Sequence, residues 1–327
     1  MGIRYLNRFL KENAAPAIKL CGLSELSGKK IAIDISIYMY RFASDNTLIE
    51  NMYVMLTALR YYNIIPIFIF DGKPPPEKQE LLQQRKLDRQ AAEQEYNQLR
   101  DMLSRNKDLD EPERQDIQNT MDMLKKDFVT LQKADIDIVK QLIRAHGCTY
   151  YDAIGEADEL CAMLTIKDKV WACLSEDMDM FVYGCPRVIR YLSLLNHTAV
   201  IYDVKGILGH LGITQTELRE ICVLSGTDYN VQNNDATSLH NTLKHFKKYH
   251  KSQTSYGFYA WLQEHKPGYI QDIELLRTIY EMFDLTGKLR VNMKPFEKIK
   301  IVNGPVQRNE IVAILKTDGF MFPPDKA

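Results

Sequence analysis

Three acids crowd into four positions of LSEDMDMFVYG, where Glu176, Asp177 and Asp179 follow directly on the apolar run Val170–Leu174. Like charges repel, and carboxylates at the mouth of a buried strand must be paired, protonated or bound to a cation. Other acids stand in the same relation to other apolar runs. Asp34 follows IAI and Asp71 follows FIF; Glu156 and Asp158 lie in AIGEADEL just past GCTYYD; Asp228 lies in LSGTDYN after a long apolar stretch. A lone Asp after a strand is ordinarily a helix cap or a turn residue. Acids at four strand ends are a stronger signal, because the carboxyl ends of parallel strands share one edge and ligands bind in the crevice there. An oxygen-only donor set without His or Cys favours magnesium or manganese over zinc. Two such ions roughly 4 Å apart can clamp the attacking and leaving oxygens of an in-line phosphoryl displacement. The expected chemistry is hydrolysis of a phosphodiester by metal-activated water. Asp177 and Asp179 are then ligands, and Glu176, pointing the other way in an extended segment, is a salt-bridge or capping residue.

The elements that must deliver these acids are legible as an alternation. Lys30–Tyr40, KIAIDISIYMY, reads as a strand passing into a helix, and Asn63–Asp71 as a buried strand closed by GKPPP. Gly147–Asp152, Lys169–Leu174 and Arg187–Tyr191 read as three more strands, with a helix starting near Gly155. Apolar strands alternating with helices predict an α/β fold with a mostly parallel central sheet flanked by helices. From Pro76 to about Ala134 the chain is highly charged and helical in period. Ile117, Met121, Leu124, Phe128 and Leu131, spaced 4-3-4-3, form the stripe of an amphipathic helix, and NKDLDEP at 106–112 divides the segment in two. Such an insertion is a lid or arch, or else a solvated hairpin. Beyond Asp203 the pattern is helical, with ILGHLGITQTELREICVL read as one apolar run.

Composition sets bounds. The 42 Lys and Arg balance 43 Asp and Glu, for a net charge of −1. Taking seven acids as metal ligands leaves 36 against 42 bases, so a polyanionic partner is permitted. No apolar run approaches the roughly 20 residues of a membrane span. MGIRYLNRFL lacks the apolar core of a signal peptide, and Leu6 stands where a myristoylation signal needs Ser or Thr. Six scattered cysteines without a CxxC pair read as reduced core thiols of an intracellular protein.

The acids fall in motifs that resemble the flap endonuclease family of structure-specific 5′ nucleases: MGI at the start, AIDIS around Asp34, FDGKPP ending at Pro75, GEADE at Gly155–Glu159, SEDMD at Ser175–Asp179 and SGTDY at Ser225–Tyr229. The likeness is continuous from Met1 to about Tyr229 and weak beyond. It implies a PIN-like 5′-nuclease fold, with a nuclease core over 1–229 and a helical arch inserted at about 77–134. A helical C-terminal DNA-binding region over 203–327 would carry a divergent helix-turn-helix, duplex-binding element at about 221–251. It implies two Mg2+ per active site, replaceable by Mn2+. Asp71, Glu156 and Asp158 would hold the first, with Asp34 nearby; Asp158, Asp177, Asp179 and Asp228 would serve the second, some through water. Asp158 stands where the family usually has Glu, and the shorter acid lengthens a metal contact or admits a water. Lys78 and Arg85, 7 and 14 residues after Asp71, match the family spacing. On one face of the arch helix they would position the scissile phosphate and stabilise its developing charge, sharing the catalytic work with Asp34, Asp71 and Asp158. Tyr40 matches the aromatic on which the terminal base stacks, a contact worth ~1–3 kcal/mol, although the residues alone would place it in the core. Gly2 matches the N-terminal glycine whose amine lies near the active site, where a side chain would obstruct DNA.

The implied activity is cleavage of 5′ flaps at their junction with duplex DNA, in replication and repair. A 5′→3′ exonuclease, a bubble or four-way-junction nuclease, and a non-catalytic scaffold are the alternatives; the intact acid set opposes the last. Two departures matter. The family's GxGxK turn is replaced by NVQNNDATSLHNTLKHFKKYHK, with no glycine from Asn230 to Ser255. Asn233-Asn234-Asp235 can supply the bend, and whether it keeps the family's K+ site is left open by these residues. Lys244, Lys247, Lys248 and Lys251 recur at helical spacing and either grip a duplex backbone by charge or form a solvated basic face. Phe320-Met321-Phe322 lacks the upstream glutamine of a sliding-clamp motif, so clamp binding is not expected. A monomer that binds branched DNA and no membrane is expected, intracellular, in the nucleus if eukaryotic and otherwise at a site of viral replication. A long insertion and a short Asp34–Asp71 interval suggest a divergent, viral or minimal member.

Overall fold

The structure, a computed structural model, describes residues 3–105, 111–230, 237–287, 293–297 and 299–321. In chain order the elements are α1 (Leu6–Asn13), β1 (Ile18–Gly22), β2 (Lys30–Asp34), α2 (Ile35–Ser44), α3 (Leu48–Tyr61), β3 (Ile65–Phe70), α4 (Gln79–Arg105), α5 (Glu111–Asp127), α6 (Lys133–Ala145) and β4 (Thr149–Asp152). They continue as α7 (Ala157–Ile166), β5 (Ala172–Leu174), α8 (Asp179–Tyr183), β6 (Arg187–Ser193), β7 (Thr198–Asp203), α9 (Val204–Leu211), α10 (Gln215–Ser225), α11 (Ser238–Ser252), α12 (Phe258–His265), α13 (Ile273–Phe283) and α14 (Arg308–Thr317). The sheet runs β1-β7-β6-β5-β2-β3-β4. Its β6-β5-β2-β3-β4 portion is parallel, as expected, while β7 pairs antiparallel with β6 and with β1. The two strands on the antiparallel side, β1 and β7, escaped the sequence reading. The burial of β1 runs from half-buried through exposed to a single buried Cys21, so it lacks the unbroken apolar run that announces β2 or β3.

Two compact units divide the chain. The first comprises Met1–Asp34, Ala58–Pro75 and Thr149–Asn303 and contains the whole sheet. Its core joins Ile67, Ile69 and Ala32 of the sheet to Cys161, Phe181, Leu218, Phe258, Ile279 and Phe283 of the helices. Each such Ile, Leu or Phe side chain contributes about 1.5–3 kcal/mol on burial. All six cysteines are buried free thiols, in agreement with the sequence reading. Among the described residues no helix is long and apolar enough to cross a membrane.

The apolar run expected as one helix is two. Helix α9 stops at Leu211, Gly212 adopts a left-handed φ of 64°, and Thr214 caps α10. Thr214 Oγ1 accepts from the Glu217 backbone N–H (3.2 Å) while Glu217 Oε2 accepts from the Thr214 backbone N–H (2.7 Å), a reciprocal pair that fixes the new start. Helices α10 and α11 pack on each other. The bend at Asn233-Asn234-Asp235 lies outside the described residues. Helix α11 buries Leu239, Thr242 and Phe246 and leaves Lys244, Lys247, Lys248 and Lys251 exposed.

On α10, burial and then Glu217 push the half-buried Glu220 carboxyl up to about 7. Tyr259, whose hydroxyl donates to the Glu220 carbonyl oxygen, and Tyr249 also feel its charge. The fold favours the neutral acid, so its contribution is complete below the ordinary glutamate range and is lost as the pH rises through about 7. Glu220→Gln should melt with the parent near pH 4 and about 2 °C above it at pH 8, since about 1 kcal/mol survives solvent screening. Parallel melting curves at both pH values would refute this.

The second unit comprises Ile35–Thr57, Pro76–Cys148 and Gly304–Ala327. Its long helices α4 and α5 pack together, with Ala92 and Met121 buried and Tyr96 edge-on to Phe128 at 5.3 Å. Helix α5 ends at Asp127, so Phe128 and Leu131 lie beyond it and the five-residue stripe is not a single helical face. The break expected at 106–112 falls largely outside the described residues. Lys126 pairs with Asp45 at 3.2 Å, which ties α5 to the segment after α2.

Candidate metal centre

Parallel pairing sets the acids on one edge. Ile33 of β2 stands opposite Leu174 of β5, and Asp34, the last residue of β2, opposite Ile69 of β3. Asp71 therefore leaves the sheet beside Asp34, and the Ser175–Asp179 turn leaves it on the other side. Phe70 of β3 stands opposite Asp152 of β4, which places the Ala153–Glu156 loop next to Asp71.

Hydrogen bonds join these ends. The Ser175 hydroxyl donates to Asp34 Oδ2 (3.0 Å) and accepts from the Asp177 backbone N–H (3.2 Å); Asp177 Oδ1 accepts from the Asp179 backbone N–H (3.0 Å). Asp71 Oδ1 accepts from the Ala157 backbone N–H (2.8 Å), so the end of β3 caps the helix that carries Glu156 and Asp158. Asp158 Oδ1 accepts from the Glu159 backbone N–H (2.6 Å), and Glu156 Oε2 accepts from the Tyr229 hydroxyl (2.6 Å). Tyr229 follows Asp228 in a turn fastened by Asn230, whose Oδ1 accepts from the Thr227 backbone and hydroxyl at 2.7 Å each and whose Nδ2 donates to the Val223 carbonyl oxygen (2.9 Å).

Asp34, Asp158, Asp177, Asp179 and Asp228 are buried, Glu156 is half-buried and Asp71 is exposed. The negative field registers on the neighbours. Burial, then Asp158, raises both the Tyr183 and Tyr229 phenols, and Glu156 adds to the second. Burial pushes the Cys161 thiol up to about 11, with Asp34 and Asp158 adding. Among the described residues no three His, Cys, Asp or Glu side chains are gathered closely enough to hold one ion as placed. Asp34, Asp71, Glu156, Asp158 and Asp177 accept hydrogen bonds from the protein. The donor chemistry, oxygen alone, still fits hard divalent ions.

The other expected site residues are placed separately. Lys78 ends a 3-10 turn, Pro76–Lys78, one residue before α4, whereas Arg85 lies on α4; they do not share one regular helical face. Both belong, with Tyr40, to the second unit. Tyr40, within α2, is 46% exposed, so the residues-alone assignment to the core is wrong. Gly2 lies outside the described residues. Glu176 behaves as its position predicts: its Oε1 accepts from the Tyr191 backbone N–H (2.7 Å) and its Oε2 lies 3.5 Å from Arg190 Nε. Ser175, Thr227, Asn230 and Tyr229 were not singled out from sequence. Only their nearness to the acids in the SEDMD and SGTDY motifs signalled them.

Comparison with known proteins follows this geometry. The XPG N-terminal domain matches residues 1–92 and the XPG I-region matches residues 147–228, together more than half of the chain. Flap endonuclease 1 of Zea mays is 31% identical over 248 residues, 70% of this chain and 62% of the relative. Flap endonuclease 1-A of Sorghum bicolor is 32% identical over the same shares. The chain thus spans under two thirds of the length of these relatives. Among solved structures, the catalytic core of Rad2 in complex with DNA substrate superposes with a TM-score of 0.64 at 22% identity, over 97% of this chain and 94% of that one. Flap endonuclease-1 from Methanococcus jannaschii gives 0.54 at 18%, over 92% and 97%. The structures show a shared fold, and the domain matches with the plant relatives show descent: the chain belongs to the flap endonuclease family.

Proposed function

We propose that the protein is a metal-dependent, structure-specific 5′ nuclease that hydrolyses DNA phosphodiesters at 5′ flap–duplex junctions in replication and repair. The observation that carries the reading is the bonded assembly of acids at one sheet edge in a chain of this family. Divalent ions, two Mg2+ with Mn2+ able to substitute, would supply an activated water and charge stabilisation at the phosphoryl oxygens. Asp71, Glu156 and Asp158 would hold one ion with Asp34 nearby, and Asp158, Asp177, Asp179 and Asp228 the other. Lys78 and Arg85 would orient the scissile phosphate, and Tyr40, exposed on α2, would stack the terminal base. Gly2 would leave the DNA unobstructed, and the exposed Lys244, Lys247, Lys248 and Lys251 would hold duplex phosphates without reading sequence. In this division of labour 1–229 is the nuclease core, 77–134 the arch, and 221–251 the duplex grip within 203–327. The protein acts as a monomer on branched DNA, inside the cell, and in the nucleus if it is a cellular eukaryotic protein, as its plant relatives suggest.

A second reading keeps the chemistry and changes the substrate. Human GEN1 in complex with Holliday junction DNA shares the fold at a TM-score of 0.59, and the glycine-free turn here alters the element that meets the duplex. Labelled flap, nicked, blunt and four-way substrates incubated with magnesium separate the two. Flap preference of tenfold or more, about 1.4 kcal/mol in the barrier, is expected. Preference for the four-way junction would establish the second reading, and no metal-dependent cleavage of any substrate would end both. Within the first reading, Tyr229→Phe removes the hydroxyl that holds Glu156. The magnesium concentration for half-maximal cleavage should rise about tenfold, with little change in melting temperature; an unchanged requirement would show that this bond does not orient Glu156.

A further inference from the structure

The turn that carries Asp177 and Asp179 is held from behind by a buried ion pair. Arg190 lies on β6, the strand beside β5, and is 7% exposed. Its Nη2 donates to the Glu176 carbonyl oxygen (2.9 Å), its Nη1 to Asn7 Oδ1 (3.0 Å) and to Met178 Sδ (2.8 Å), and its Nε lies 3.5 Å from Glu176 Oε2. Glu176 Oε1 in turn accepts from the Tyr191 backbone N–H (2.7 Å). The guanidinium thus touches the residues on both sides of Asp177, that is, Glu176 and Met178. It also reaches α1: Asn7 Oδ1 accepts from the Tyr202 hydroxyl (2.8 Å) and Asn7 Nδ2 donates to the Tyr191 hydroxyl (2.7 Å). Tyr191 and Tyr202 flank the guanidinium with ring centroids at 5.0 and 5.8 Å.

A buried ion pair is a poor source of net stability, because desolvation offsets its attraction. A planar fork with fixed donors is, however, a good source of geometry. The SEDMD turn needs such help. It places two like charges side by side, and both are buried. Repulsion between the two carboxylates, relieved by opening the turn, would carry Asp177 and Asp179 apart.

We propose that Arg190 and Glu176 form a positioning pair that sets the Ser175–Met178 backbone so that Asp177 and Asp179 present their carboxylates to one divalent cation, and that Asn7 couples α1 to the same device. The inference rests on the metal-centre reading above. Arg190 and Glu176 touch neither substrate nor ion; they act through the backbone of the turn.

The test is manganese binding to the whole protein without DNA, followed by electron paramagnetic resonance or calorimetry, alongside thermal melting. Arg190→Lys keeps the charge and loses the fork; Glu176→Gln keeps the shape and loses the pairing. Each should weaken manganese binding about tenfold. In cleavage, the half-saturating magnesium should rise in parallel while the rate at saturating metal stays within about threefold of the parent. Leu262→Ala, a fully buried position on α12, supplies a destabilised control whose manganese affinity should not move. Parent-like affinity in both variants, or an equal loss in Leu262→Ala, overturns the positioning role. If Arg190→Lys does not fold, Glu176→Gln alone decides by the same comparison. No manganese binding by the parent overturns the metal-centre reading itself, and this inference with it.

Discussion

Asp179→Asn should abolish junction cleavage while raising the melting temperature of the metal-free protein. The two effects have one cause. Asp179 begins α8, is 3% exposed, and donates its backbone N–H to Asp177 Oδ1. Asparagine has the same shape and leaves that backbone bond intact. What it removes is one negative charge from an edge where Asp34, Asp158, Asp177 and Asp228 are also buried. Without cations those charges repel, with an energy that a low local dielectric magnifies. The metal-free variant should therefore melt a few degrees above the parent in chelator. With metal the order reverses. A ligand that binds only the folded state at 100 times its Kd stabilises the parent by about 2.7 kcal/mol. The variant, lacking one of the proposed ligands, should gain far less. Cleavage loses charge stabilisation worth several kcal/mol, which is about 10³-fold or more in rate. Opposite signs in the two measurements exclude simple misfolding as the explanation. Cleavage within tenfold of the parent, or an undiminished metal-induced rise in melting temperature, would remove Asp179 from the metal centre.

What the sequence disclosed follows from how strongly each feature marks a short window. Strands β2, β3 and β5 are buried on nearly every residue, so they appear as unbroken apolar runs ending in acids. Strands β1 and β7, on the antiparallel side, bury one residue of five and two of six, so neither shows the unbroken buried run of β2 or β3. The acids themselves were visible because acids recur after four apolar strands, where like charge and burial conflict, and conflict is informative. Their supports were not. Ser175, Thr227 and Asn230 act through bonds of 2.7–3.2 Å to neighbours that nothing in their local spacing reveals. Arg190 was hidden differently. In RVIRYLS nothing local marks it for burial, yet the fold buries it against Asn7, which is 183 residues distant. The stripe from Ile117 to Leu131 overran its helix because apolar spacing continues through the turn at Phe128, where backbone hydrogen bonding does not. The separation of α9 from α10 shows the converse: Thr214 and Glu217 spell a capping box within an apolar stretch, and the cap won.

Gly72→Ala should produce the other large loss, by a route that leaves every acid in place chemically. A Cβ on Gly72 would stand 2.1 Å from the Ala153 carbonyl oxygen and 2.5 Å from that of Ile154, both backbone atoms. Contacts below 3.0 Å are essentially never tolerated, and no side-chain rotation can relieve these. The closeness is built into the edge: Gly72 donates its N–H to the Gly155 carbonyl oxygen (2.7 Å), and Lys73 donates to that of Ile154 (3.1 Å). A methyl group must push the Ala153–Gly155 loop away by about an ångström. That shift breaks the Gly72–Gly155 bond and strains the bond from Ala157 to Asp71, which sets the start of α7 and with it Glu156 and Asp158. Overpacking of this kind costs about 1–3 kcal/mol in stability. A misplacement of about 1 Å at the reacting groups costs on the order of 10²-fold in rate. The loss should persist at saturating magnesium, because the defect lies in where the ligands stand and not in how many remain. Gly155→Ala provides the comparison from the same loop: its Cβ would meet nothing within 4 Å, so its urea midpoint and cleavage rate should match the parent. If the two alanine variants behaved alike, the close backbone approach at Gly72 would not be what aligns Asp71 with the start of α7.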